Sequence, residues 1–196
     1  MAAKRKKGIS TYILPVLFCA LLIVLAVVRD RQTEQPVKAV LQESQPLTLS
    51  GPAVENYLYS AGFSLEGETL RDDEGKEAGS LTVSAVADGS IEAMTLSFPL
   101  PTYYRTEDES DVLASLKAKH DKAARRGEDM FLALFDAIAA TDGRVEVRRD
   151  SALEKLRSVM DTGKAAVQAA NSWRFSFSLA PDTIEGKVTV QFEIVK

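Results

Sequence analysis

WRFSFSLAPDTIEGKVTVQFEI, residues 173–194, is the stretch whose reading decides the fold. Trp173, Phe175, Phe177 and Leu179 alternate with Arg174, Ser176 and Ser178. After a turn around Asp182 to Gly186, Val188, Val190, Phe192 and Ile194 alternate with Lys187, Thr189, Gln191 and Glu193. A period of two sends successive side chains to opposite faces of a strand, so the stretch is a hairpin with one apolar and one polar face. Strands of that kind belong to an antiparallel sheet covered on one side and wet on the other.

Upstream of the hairpin, Ser151 is expected to cap a helix with Leu153, Leu156, Met160, Gly163 and Val167 along one face. A longer helical region opens before it at the capping-box pair Thr106 and Glu109. Its apolar stripe is Leu113, Leu116, His120, Ala124, Gly127, Phe131, Leu134 and Ile138, and Asp142-Gly143 ends it. Unbroken, such a helix is about 50 Å long, against about 38 Å for a compact domain of this size. A break near Gly127, giving two helices, is therefore expected.

A second hairpin precedes these helices. Leu81, Val83, Ala85 and Ala87 alternate toward an Asp88-Gly89 turn, Met94, Leu96 and Phe98 alternate on the return, and Pro99 and Pro101 are expected to stop the sheet. Phe63 to Arg71 reads as one strand before a turn at Asp72 to Gly75. Ser50 reads as the cap of a short helix with Val54, Tyr57, Leu58 and Ala61 on its apolar side, ended by Gly62. The order is helix, two or three strands, two or three helices, two strands. That predicts an α+β domain over 50–196, with an antiparallel sheet of four to five strands and helices packed on one face. A helix-plus-hairpin duplication fits this order, although no residue-level repeat accompanies it.

Ahead of the domain lies Ile9 to Val28, twenty residues without a charge. A helix of that length spans about 30 Å, the thickness of a bilayer's hydrocarbon core. Lys4, Arg5, Lys6 and Lys7 precede it and only Arg29 and Arg31 follow closely, so the basic end is expected to stay in the cytoplasm. The run exceeds the apolar region of a cleaved signal peptide, and Ala26-Val27-Val28-Arg29 is not a small-x-small site. Phe18 is too bulky for a lipoprotein motif at Cys19. The expected layout is a cytoplasmic basic segment (1–8), a transmembrane signal anchor (9–28), a flexible tether rich in Pro and Gln (29–49) and the extracytoplasmic domain. That makes it a single-pass protein of the cell membrane whose lipid contact is 9–28.

From Arg29 onward, 20 basic residues stand against 28 acidic ones, a net charge of −8, which argues against a nucleic-acid partner. The same part has no cysteine and no glycosylation sequon, since neither Asn56 nor Asn171 has Ser or Thr two residues on. A bacterial envelope is the expected setting.

No catalytic, cofactor or metal site is expected. His120 is the single histidine, so histidine-based zinc sites and Cys–His pairs are ruled out for the exported part. Asp72-Asp73-Glu74 with Glu66 and Glu68, and Glu107-Asp108-Glu109 with Asp111, lack the alternating spacing of a calcium loop and read as surface charge. Trp173, Phe175 and Phe177 read as core. Lys117, Lys119, Lys122, Arg125 and Arg126 form the one dense basic run outside the anchor; they are the candidate contact for an anionic partner, such as a wall polymer or lipid head groups.

The expected function is a non-enzymatic binding or scaffold module of a bacterial envelope whose partner is a protein or a cell-wall polymer. In a different class, Lys4 to Lys7, Gly8 and the twenty apolar residues resemble a prepilin leader with its cleavage glycine. That resemblance implies a minor-pilin-like subunit of a secretion or uptake filament. The chain departs from it at Ile13, where most pilins carry glutamate.

Overall fold

The terminal hairpin forms in the register that its alternation demands: Trp173 lies opposite Ile194, Phe175 opposite Phe192, Phe177 opposite Val190 and Leu179 opposite Val188. A computed structural model describes residues 48–103 and 111–195 of the chain. Among them the elements are α1 (Gly51–Ser60), β1 (Phe63–Glu66), β2 (Thr69–Asp72), β3 (Glu77–Ala85), β4 (Ile91–Pro101), α2 (Asp111–Thr141), a 3-10 turn (Glu146–Arg148), α3 (Arg149–Thr162), β5 (Ala166–Ala170), β6 (Trp173–Ala180) and β7 (Glu185–Ile194). The anchor at 9–28 and the Thr106–Glu109 capping box lie outside the described residues.

The architecture is α+β, with one sheet of seven strands in the order β1-β2-β3-β4-β7-β6-β5 and every neighbouring pair antiparallel. A helix followed by a meander thus occurs twice, α1 with β1–β4 and α3 with β5–β7, and the two meanders join at their last strands. The apolar positions of β4, β6 and β7 are buried against the helices, whereas Arg174, Lys187, Gln191 and Glu193 on the opposite face are exposed.

Seven strands replace the expected four to five for two local reasons. The stretch Phe63 to Arg71 is folded back on itself at Gly67-Glu68, a two-residue turn with Glu66 opposite Thr69. The helix expected to continue through Val167 instead stops at Thr162. Gly163 takes φ +70°, the left-handed conformation that closes a helix, and β5 begins three residues on. Val167 is therefore a strand residue, 57% exposed.

The expected break at Gly127 does not occur; α2 is one helix of 31 residues. The glycine serves a close approach instead: a Cβ at Gly127 would lie 2.2 Å from Cε2 of the buried Phe98 ring, so only a bare Cα lets helix and sheet meet there. Pro99 and Pro101 likewise do not end the sheet but pair with β7, opposite Lys187 and Glu185. β3 accompanies β4 only as far as Ser80 opposite Ser97, so both prolines have a strand on one side alone, the setting in which a missing N–H is tolerated. Ser50 occupies the N-cap position of α1 as expected, though its side chain makes no cap hydrogen bond and its backbone bridges Ser90, whereas Ser151 lies inside α3 and donates to Oε1 of Gln168. β3 ends at Ala85, before Ala87.

Five phenylalanines form the centre of the core. Phe131 and Phe135 of α2 meet Phe175, Phe177 and Phe192 of the sheet at ring separations of 5.2–5.9 Å. These are favourable tilted and edge-on aromatic contacts, with one stacked pair. Arg149 holds Asp136 at 2.9 and 3.3 Å and Arg157 holds Glu128 at 2.8 and 2.6 Å, tying α3 alongside α2.

The sheet has two distinct ends. At one, the chain enters through Leu49, whose carbonyl accepts from the Ile91 amide, and the Asn171-Ser172 turn and Ile194 lie at that same end. At the far end lie Pro101 and the turn from Asp72 to Lys76. Helix α2 runs from the far end to the entry end. His120 donates Nδ1–H to the Pro101 carbonyl at 2.7 Å, Gly127 sits on Phe98, and Asp142 accepts from the side chains of Asn171 and Ser172. The turns from Asp111 to Lys119 consequently extend, over about 13 Å of helix at 1.5 Å per residue, past the point where His120 meets the end of β4.

Candidate functional site

All five residues of the basic run lie on α2, where it leaves the sheet. Helical geometry advances about 100° per residue. Arg125, Lys122 and Arg126 therefore share one sector, while Lys117 and Lys119 fall on either margin of it. That sector faces a cleft of about 600 Å³ whose other walls are Ala61 to Phe63 and the turn Asp72 to Glu74.

The five cations do different things. Arg126 is structural: its guanidinium meets the Asp72 carboxylate at 2.7 Å, and that carboxylate is only 7% exposed. Asp72 also accepts the backbone N–H groups of Glu74 at 3.1 Å and Lys76 at 2.8 Å, so one carboxylate closes the turn and pins it to α2. Burial pushes the Asp72 carboxyl upward, but the Lys76 amide, Arg126 and the Glu74 amide together hold it below its ordinary range. The surface-charge reading of this acidic group is thereby corrected for Asp72. Arg71 pairs with Glu66 at 2.7 Å and Lys76 with Glu74 at 2.6 Å, both in the open.

Lys117, Lys119, Lys122 and Arg125 are exposed and, among the described residues, form no salt bridge. The cleft is not uniformly basic. Asp73, Asp121 and Asp129 stand among Lys122 and Arg125. Partial desolvation, reinforced by Glu128, raises the Asp129 carboxyl above its ordinary range. The arrangement can therefore contact anionic groups at its rim while offering carboxylates within.

His120 sits on the core-facing side of α2, held by Pro101, with the Tyr103 ring 6.2 Å away. Trp173, Phe175 and Phe177 are buried core residues. Among the described residues, no three His, Cys, Asp or Glu side chains are grouped to hold a metal, and no helix is long and apolar enough to cross a membrane. Glu107 to Glu109 lie outside the described residues. Asp72 is the residue that sequence reasoning placed in a turn without seeing its partner, since nothing periodic links it to Arg126.

No protein-family model matches the chain, and neither a curated protein nor a solved structure is significantly similar to it.

Proposed function

We propose that the chain is a non-catalytic binding module of a bacterial cell envelope, anchored by 9–28 with its domain outside, and that it meets an anionic partner at the far end of the sheet. The observation carrying this reading is the separation of the two ends. The chain joins the domain at Leu49 and Ser50, whereas at the opposite end Lys122 and Arg125, without salt bridges among the described residues, line a cleft and Lys117 and Lys119 flank it on the preceding turn of α2. The surroundings favour a partner over a merely solvated face: four cations without salt bridges among the described residues gather on a chain that is otherwise acidic.

The chemistry that suits these cations is a polymer or protein surface bearing spaced phosphates or carboxylates. Full-length protein in detergent, titrated with a poly(glycerol phosphate) polymer, should bind with an affinity that falls as salt rises. Lys117→Glu with Lys119→Glu should weaken binding roughly tenfold, because reversal adds repulsion to lost attraction. Binding that ignores both salt and charge reversal would remove the α2 rim from consideration.

A further inference from the structure

The two outer strands of the sheet are protected to different degrees. An outer strand offers unpaired N–H and C=O groups to any extended chain, and proteins blunt such edges with charge, proline, bulges or short length. β1 is four residues long, ends in Glu66 and is followed by Glu68. β5 is also short, at five residues, and Lys164 stands two residues before it, but the strand itself has no charge, proline or bulge. From Ala165 to Ala170 the chain is Ala-Ala-Val-Gln-Ala-Ala, without charge or proline, and all five strand residues pair with β6 without a register shift.

Which groups of β5 point outward follows from its turn. Asn171-Ser172 is a two-residue connection, so the flanking pair Ala170 and Trp173 exchanges hydrogen bonds. Alternation then turns Val167 and Ala169 away from β6. The Ala169 carbonyl bears this out, since it accepts Nε2 of Gln168 at 2.8 Å. Among the described residues no other hydrogen bond reaches the outward groups of Val167 and Ala169, and the Val167 side chain is 57% exposed.

We propose that β5 is a pairing edge, at which two copies of this chain join their sheets in antiparallel register centred on Gln168. The edge is self-complementary. About a two-fold axis at Gln168, each Val167 faces the partner's Ala169, both on the open face and neither charged. Main-chain bonds run between these outward residues: the partner's Val167 amide takes the place of Gln168 Nε2 on the Ala169 carbonyl, and the Ala169 amide donates to the partner's Val167 carbonyl. The axis is perpendicular to the sheet, so the helices of both copies remain on one side. A foreign peptide could use the same valences, but the matched, uncharged edge favours a second copy.

The test uses the full chain in membranes, with Cys19→Ser so that introduced cysteines are alone. Two differently tagged copies are co-expressed, one with Val167→Cys and one with Ala169→Cys. Opposed residues in this register have Cα atoms close enough for a disulfide. A mixed disulfide that predominates over either like pair is expected, and it should be lost when Val167→Lys is introduced into the second copy. No cross-link above that of a Ser64→Cys control on β1 would overturn the proposal. So would equal cross-linking in all combinations, or a cross-link that survives Val167→Lys. The control keeps a failure of edge pairing distinct from a failure of the anionic-partner reading, which it does not touch.

Discussion

One helix holds two regions with opposite surroundings. Between Gly127 and Ile138, α2 buries Met130, Phe131, Ala133, Leu134, Phe135, Ala137 and Ile138, more than a single stripe, because the sheet, α1 and α3 all lie against it. Between Asp111 and Lys119 the same helix leaves Val112 68% and Leu116 36% exposed. Apolar spacing alone does not separate the two halves. A hydrophobic stripe tells where a helix is able to pack; whether a surface is there to receive it depends on how far the strands beneath extend.

Phe131→Ala attacks the buried half and should cost about 3–5 kcal/mol, whereas Leu116→Ala in the overhang should cost under roughly 0.5 kcal/mol. Urea unfolding measures both; equal losses would show that the overhang is packed. Gly127→Ala probes the boundary between the halves. Alanine is the better helix former by about 1 kcal/mol, yet the Cβ collides with the Phe98 ring, so a net loss of about 1–3 kcal/mol is expected. Adding Phe98→Leu should recover part of it, and a stabilised single variant would show that the ring moves aside freely.

Asp72→Asn should have a modest effect at neutral pH, since the amide oxygen still accepts the turn's N–H groups while the charge facing Arg126 is lost. Its pH dependence is more telling. The folded-state carboxyl is held below its ordinary value, so its stabilisation is complete above about pH 4 and disappears as pH falls through the depressed folded value. Thermal melts should therefore show a steeper acid decline in the wild type than in the variant. Parallel declines would mean that Asp72 does not sense Arg126.

The terminal hairpin was legible because each residue from Trp173 to Leu179 obeys a period of two and the covering helices fill one face. β5 was not, because Val167 continues a three-to-four spacing from Met160 and Gly163, and alanine suits a helix as readily as a short outer strand. The size of a compact domain does not force a break at Gly127, because a helix need not end with the sheet beneath it, and α2 does not. Asp72 is the last residue of β2, at the edge of the expected turn, and its tie to Arg126 depends on two elements brought together by tertiary packing, which no local pattern encodes. The basic run is visible in sequence only as a string; its division into one structural arginine and four exposed cations without salt bridges among the described residues is a property of the fold.

The seam between the two meanders also has a consequence for how the molecule is made. Ser97 and Thr189, hydrogen-bonded across β4 and β7, are 92 residues apart in sequence. Contacts of such long range form slowly, because a large loop must close before the pairing is rewarded. During synthesis β4 exists long before β7 emerges, and for that interval its outer side, with Met94, Leu96 and Phe98 on the apolar face, has no partner. The last ten residues of the hairpin thus act as a closing clasp. A chain that stalls after Ala180 exposes an adhesive strand in the middle of what should be a continuous sheet, so the nascent protein is at its most aggregation-prone just before β7 emerges.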